Sequence, residues 1–295
     1  MILLLSHEYT NEFIRVFVAQ KIEMKKLHLI CFIGIAGLSS FVFSKNEKPI
    51  LYIIGDSTVR NNNRPQCGWG EMINEFLDTT QISISNQAMA GRSTRTFIKE
   101  KRWDKVLSTL KAGDFVIMQF GHNEGSKPDT SRGGYRGVLR GTGDETVELT
   151  WKDSTIETVH TYGWYLKKFV QDAKAKGAIP IICSMIPRNQ FVDDPSLAPR
   201  EKDSVGMVIE RKKVKRANND FGKWAKEVAI SEGVFFIDLN GISADKYDAL
   251  GPDEVKKFFP GDHTHTNVEG ARVNAASVAE GIKLLKSLGL NAYLK

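Results

Sequence analysis

Cysteine is scarce in this 295-residue chain, which holds Cys31, Cys67 and Cys183 and no others. None stands in a metal-type spacing, and so few scattered cysteines do not make a disulfide framework. Nine prolines and 25 glycines without a period exclude a collagenous or low-complexity chain. No run of Lys and Arg is interleaved with aromatic residues, so no nucleic-acid partner is expected. There is no internal repeat and no break in composition, which argues for a single folded domain. The positive excess is small, 41 Lys and Arg against 35 Asp and Glu. It is compatible with an anionic substrate and equally with a solvated basic surface. What remains is a globular composition, 41% hydrophobic, long enough to bury a sizeable core.

One long apolar run, Leu27–Phe43, follows Met24-Lys25-Lys26 and precedes the polar Ser44-Lys45-Asn46-Glu47. A basic segment, an apolar segment and small residues near Ser44 describe a secretory signal peptide starting at Met24. Residues 1–23 then read as an upstream segment ahead of the true start. The run is near the lower limit for a bilayer span and contains Gly34, Gly37, Ser39 and Ser40, which favours removal over a retained anchor. Cys31 lies too early in the run to be a lipid-modified first residue. The expectation is a leader over 1–44 and one extracytoplasmic domain over 45–295, with no membrane insertion once the leader is gone. Removing 1–44 takes away four basic and three acidic side chains and leaves +5.

Pro49–Ile54 is apolar on consecutive residues, the pattern of a strand covered on both faces and therefore parallel. Ile82–Asn86, Phe115–Phe120, Ala178–Cys183 and Val234–Leu239 predict four more strands. Helical spacing of apolar residues predicts helices over Trp69–Leu77, Trp103–Leu110, Thr155–Lys176, Ile209–Glu232 and Val268–Leu288. Cys183, inside a strand, reads as a small buried hydrophobe. Gly125–Trp151 and Pro187–Val208 lack periodicity and read as loops, the first as an insertion bordering the site. Strand–helix alternation five times over predicts a doubly wound three-layer α/β/α sandwich on a five-stranded parallel sheet.

Loops at the carboxyl ends of parallel strands converge on one sheet edge, however distant in sequence. Four of them carry chemistry. Gly55-Asp56-Ser57-Thr58 presents a hydroxyl after the first strand. In Asp262-His263-Thr264-His265, His265 is placed to act as a general base for Ser57, with Asp262 orienting its ring. Thr266 and Glu269 have capping-box spacing, so the last helix is expected to begin just after His265. The same Asp-x-x-His pattern also suits a simple helix-start turn. Gly91 would let a backbone N–H approach an oxyanion, or else serve as a left-handed turn residue. Asn123 would add an amide donor, or close an Asx turn. Asp56, His122, Asp262, His263 and His265 could also be read as a metal set, but the nucleophile reading accounts for His265 without one.

The blocks Gly55-Asp-Ser-Thr58, Gly91, Gly121-His-Asn-Glu124 and Asp262-x-x-His265, in that order, resemble the SGNH (GDSL-type) hydrolases. More narrowly, Asn86-Gln-Ala-Met-Ala-Gly-Arg-Ser93, Phe120-Gly-His-Asn-Glu-Gly125, Gly141-Thr-Gly143 and Asp262-His-Thr-His-Thr266 resemble the rhamnogalacturonan acetylesterases. The resemblance runs from about Ile50 to Leu288. It implies a flavodoxin-like sandwich, a catalytic triad of Ser57, Asp262 and His265, and an oxyanion hole of Ser57 N–H, Gly91 N–H and the Asn123 side chain. It implies no cofactor and no metal. Glu124 departs from the Asp usual in that block. The implied substrate is an acetylated polysaccharide or oligosaccharide bearing uronate carboxylates. Arg92, Arg95 and Arg188, in loops at the sheet edge, and His122 are candidates to meet it. Two alternatives stay open, another ester (acetylated xylan, an acyl lipid or a thioester) and a carbohydrate-binding protein without turnover.

Overall fold

In the computed structural model, residues 47–193, 212–217 and 220–295 are described. The leader expected over 1–44 lies outside them, as do 194–208 of the second loop and the predicted helix start at 209–211. Lys48–Lys295 forms one compact unit. Its first half runs β1 (Ile50–Gly55), two 3-10 turns (Trp69–Glu71 and Ile73–Glu75), β2 (Ser83–Asn86), α1 (Thr94–Lys99), α2 (Arg102–Leu107) and β3 (Phe115–Gln119). The second continues with β4 (Thr146–Thr150), β5 (Ile156–His160), α3 (Tyr162–Ala175), β6 (Ile179–Cys183), β7 (Phe191–Asp193), β8 (Lys212–Val214), α4 (Phe221–Ser231) and β9 (Phe235–Ile237). Helices α5 (Leu239–Leu250), α6 (Pro252–Lys257) and α7 (Val268–Leu284) close the chain. No helix among the described residues is long and apolar enough to cross a membrane.

The central sheet has the order β2-β1-β3-β6-β9, and every pairing in it is parallel. Strands β1, β3, β6 and β9 are largely apolar on successive residues because each face has its own core, whereas the edge strand β2, Ser-Ile-Ser-Asn, alternates. Tyr52, Ile54, Val116, Met118 and Ile182 pack against Phe97, Trp103, Phe169 and Val228 of α1 to α4. Leu51, Ile53, Ile117, Ile181 and Ile237 pack against Trp69, Ile73 and the α7 residues Ala275, Val278 and Ile282. The result is the expected three-layer sandwich. After β1 the chain pairs to one side with β2 and to the other with β3, so the crevice beyond these strand ends is a topological switch point, where such sheets bind ligands.

Several expected elements are corrected. The helix predicted over Thr155–Lys176 begins at Tyr162, with the Thr161 hydroxyl accepting from Trp164 N–H. Ile156–His160 is instead a strand, because Thr146–Thr150, within the stretch read as irregular, supplies an antiparallel partner. The helix predicted over Ile209–Glu232 begins at Phe221, capped by Asp220. Ahead of it, β8 pairs antiparallel with β7 and buries Val214 among Ala244, Tyr247, Val255 and Phe259. Trp69–Leu77 forms two 3-10 turns rather than an α-helix. The chain passes so close to Val59 there that Gly68 and Gly70 have no room for a Cβ. The final helix is capped by Asn267, whose side chain accepts from Gly270 N–H at 3.0 Å, one residue beyond the predicted Thr266. Helix α1, capped by Ser93, and helices α5 and α6 add to the predicted elements.

Candidate active site

Ser57 sits in the turn that ends β1, and the turn is held from beneath. Gly55 allows the approach: a Cβ there would lie 2.5 Å from Gln119 O and from the Val59 side chain. Asp56, fully buried, accepts from the Thr58 N–H (2.9 Å) and hydroxyl (2.7 Å). Thr58 Oγ1 accepts in turn from Gln119 Nε2 (2.9 Å), and Gln119 Oε1 accepts from Trp69 Nε1 (3.0 Å). The shorter bonds run in one direction, from Gln119 through Thr58 to Asp56; a longer contact of the Thr58 hydroxyl with Gln119 Oε1 (3.3 Å) closes the group.

Ser57 Oγ lies 2.8 Å from His265 Nε2, and His265 Nδ1 lies 2.6 Å from Asp262 Oδ2. The other Asp262 oxygen accepts the backbone N–H of Thr264 (2.6 Å) and of His265 (2.8 Å). Burial acts to raise the Asp262 carboxyl, but the bonds from His265 and the two backbone donors outweigh it and bring its pKa to about 2. The carboxylate therefore stays ionised and fixes the tautomer in which Nε2 faces Ser57 as an acceptor. Thr266 is not the helix cap. Its hydroxyl donates to Cys67 O (3.0 Å), and Cys67 N–H donates to Thr266 O (2.7 Å). Cys67 and Cys183 are buried free thiols, and burial pushes Cys67 up to about 11.

The loop carrying Gly91 is laid beside the Ser57 turn by Met89 N–H, which donates to Gly55 O at 3.0 Å. Gly91 has φ +75, a left-handed conformation that favours glycine. Among the described residues the N–H groups of Ser57 and Gly91 have no hydrogen-bond acceptor. Asn123 Nδ2 donates to Arg92 O (3.0 Å), and its Oδ1 accepts from Arg136 Nη1 (2.8 Å). Glu124, the departure from the family block, joins the two loops: its carboxyl oxygens accept from Thr94 N–H (2.8 Å) and Asn123 N–H (2.9 Å). Burial, with the Asp56 charge, pushes the Glu124 carboxyl up to about 8 against the pull of these donors.

The four expected substrate contacts separate. Arg95 is corrected: it is 1% exposed, paired with Glu157 at 2.8 Å, and out of reach of a polymer. The Arg92 guanidinium is held by Glu100 and Ala90 O, so it is the backbone carbonyl of Arg92 that serves the site. Arg188 lines a cleft of 440 Å³ with His122, Met185, Lys215 and Phe221. Asn189 N–H, donating to His263 O at 2.8 Å, ties that loop to the histidine loop. Neither Arg188 nor Lys215 forms an ion pair among the described residues. Both ring nitrogens of His122 are buried without a partner there. Burial, reinforced by Arg188 and the neighbouring histidines and opposed by Asp56, pushes His122 down to about 4, so it is neutral. Among the described residues no three His, Cys, Asp or Glu side chains are grouped to hold a metal ion. Sequence reasoning missed Arg136, Lys215 and the Cys67–Thr266 clamp. All depend on neighbours distant in sequence, and none lies in a periodic segment.

The chain is similar to known proteins in sequence and in fold. Residues 53–273 match the model of the GDSL-like Lipase/Acylhydrolase family. The chain is 34% identical over 239 residues to a rhamnogalacturonan acetylesterase of Emericella nidulans, covering 79% of this chain and 86% of the relative. It is 27% identical over 257 residues to one of Bacillus subtilis, covering 81% and 92%. Among solved structures, a Bacillus subtilis protein superposes with TM-score 0.60 at 21% identity, covering 81% of this chain and 57% of the other. An acetylxylan esterase of Geobacillus stearothermophilus superposes with TM-score 0.50 at 16% identity, covering 79% and 94%. These two likenesses show the fold. A serine hydroxyl on a histidine on a carboxylate, at the switch point of a parallel sheet, is consistent with this family. The chain belongs to the GDSL-like lipase/acylhydrolase family and is a carboxylic ester hydrolase.

Proposed function

We propose that this hydrolase is a serine acetylesterase removing O-acetyl groups from an acidic plant cell-wall polysaccharide, acetylated rhamnogalacturonan. The observation that carries the reaction is the 2.8 Å contact of Ser57 Oγ with His265 Nε2, backed by Asp262. Ser57 Oγ attacks the acetyl carbonyl carbon as its proton passes to His265 Nε2. The oxygen, now negative, is met by the N–H groups of Ser57 and Gly91 and by Asn123 Nδ2. The tetrahedral centre collapses, the C–O bond to the sugar breaks, and His265 returns its proton to the departing sugar oxygen. Water, deprotonated by His265, then attacks the acetyl-serine, releasing acetate and restoring the Ser57 hydroxyl.

The substrate class rests on the similarity to rhamnogalacturonan acetylesterases and on two cations of the cleft, Arg188 and Lys215, that have no ion pair among the described residues. Asp220 lines the same cleft but is paired with Arg140, so the guanidinium and the ammonium suit the carboxylates of uronate residues beside the scissile ester. A polymeric substrate and the leader-like 1–44 support an extracytoplasmic enzyme with its domain over 45–295.

The test is acetate release from acetylated rhamnogalacturonan and from neutral acetylated xylan. Wild type is expected to favour the acidic polymer. Ser57→Ala and His265→Ala should each lower kcat by at least about 10³-fold without loss of folding. The double variant Arg188→Ala/Lys215→Ala should lose most of the preference while keeping turnover of 4-nitrophenyl acetate. A preference for xylan, or for long acyl chains, would replace the substrate assignment. Activity is expected to survive a chelator, since the nucleophile is a side chain.

A further inference from the structure

We propose that Arg136 is a positioning residue of the oxyanion hole, acting through Asn123. The proposal rests on the reading of Asn123 as an oxyanion donor. A side-chain amide has a donor end and an acceptor end, and only the donor end can stabilise an oxyanion. Here both neighbours of Asn123 have one polarity. Arg92 O can only accept, and takes one Nδ2 hydrogen at 3.0 Å. Arg136 Nη1 can only donate, and takes Oδ1 at 2.8 Å. The amide is therefore locked with its second Nδ2 hydrogen uncommitted among the described residues. A flipped amide would set NH₂ against guanidinium and carbonyl against carbonyl.

The bond from Arg136 is also charge-assisted. Among the described residues its guanidinium has no ion-pair partner and no hydrogen-bond acceptor besides Asn123 Oδ1. A positive charge drawing on the amide oxygen makes the amide N–H a stronger donor. The guanidinium stands on the Gly91 side as well: a Cβ at Gly91 would lie 3.9 Å from Arg136 Nη1.

The fold commits a buried cation to presenting this residue. Arg95 Nη1 donates to Gly134 O and Gly137 O, each at 3.1 Å, on either side of Arg136. Glu157 of β5 holds the same guanidinium through its other two nitrogens. Val138 N–H then donates to Glu124 O at 3.3 Å, attaching the segment to the loop that bears Asn123. The aperiodic stretch after β3 is thus tied at several points around one turn, and the side chain this turn delivers to Asn123 is that of Arg136.

The experiment is a double-mutant cycle of Arg136→Ala and Asn123→Ala on 4-nitrophenyl acetate, whose turnover does not depend on which polysaccharide is the substrate. Asn123→Ala should lower kcat by about 10²–10³-fold, the loss of one oxyanion donor. Arg136→Ala should lower kcat by about 10–100-fold with KM changed by less than about threefold, a part of that same term. The double variant should be no worse than Asn123→Ala by more than about twofold, because the two act as a unit. Arg136→Lys, which keeps a charged donor, should recover most of the loss, and urea midpoints check that each variant is folded. Multiplying effects, or full activity in Arg136→Ala, would overturn the proposal for Arg136 while leaving Asn123 in place. Full activity in Asn123→Ala would overturn both the proposal and the oxyanion reading beneath it.

Discussion

Cys67 and Thr266 are joined twice, Cys67 N–H to Thr266 O at 2.7 Å and Thr266 Oγ1 to Cys67 O at 3.0 Å. The pair binds the residue after His265 to the segment that packs beneath Ser57, across 199 positions of sequence. Thr266 is 1% exposed, so Thr266→Val keeps the shape and removes one donor from a buried carbonyl. The expected cost is about 1–3 kcal/mol in urea unfolding. Looser placement of His265 should also lower kcat several-fold with KM little changed.

Asp262, with its pKa near 2, stays ionised throughout the working range. The acid limb of the pH–rate profile should therefore not arise from protonation of this carboxylate. The lowered value contributes stability that is present above the unfolded pKa of about 3.9 and lost as pH falls towards about 2. Asp262→Asn removes the ionised acceptor for Nδ1–H and should lower kcat by about 10²–10⁴-fold. An acid limb that shifts with the ionisation of residue 262 itself would contradict the assignment.

Glu124 works in the opposite sense. With its folded pKa at about 8, above the unfolded value of about 4.3, it stabilises most below that unfolded value. The contribution declines as pH rises from about 4 to 8. Urea unfolding of wild type and Glu124→Gln at pH 5, 6, 7 and 8 should show the wild-type advantage shrinking with pH. A growing advantage would mean that the carboxyl is ionised in the fold. Glu124→Asp, one methylene shorter, should fail to span Thr94 and Asn123 and should lower kcat.

Arg95 and Glu157 give the sharpest contrast with a substrate contact. Removing one partner of so buried a pair is expected to cost about 3–5 kcal/mol, so Arg95→Ala should unfold early in urea. Burial opposes the ionised Glu157, but the bonds from Arg95, Lys99 and Trp151 prevail and lower its pKa to about 2. The stability it confers is present above about pH 4.3 and vanishes towards pH 2. Glu157→Gln should accordingly be weaker than wild type at pH 7 and converge with it in acid.

The parallel sheet was legible because burial on both faces demands consecutive apolar residues, as in Ile50–Ile54 and Phe115–Phe120. The triad was legible because its members follow strand ends in a telling order. The β4–β5 and β7–β8 ribbons were not. A strand such as Lys212–Val214 becomes a strand only when Phe191–Asp193 lies beside it, and Ile156–His160 reads locally as a helix until Thr146–Thr150 is known to pair with it.

Side-chain roles divide along the same line. Residue types and their order along the chain already placed Ser57, Gly91, Asn123, Asp262 and His265 on one sheet edge, since parallel strand ends converge whatever lies between them. Which arginine would line the cleft, which would be buried and which would hold Asn123 was decided by the tertiary structure alone. An arginine carries the same charge and donors everywhere. The carboxylate or carbonyl beside it decides its work, and for Arg95 and Arg136 that neighbourhood is assembled from segments far apart in the chain.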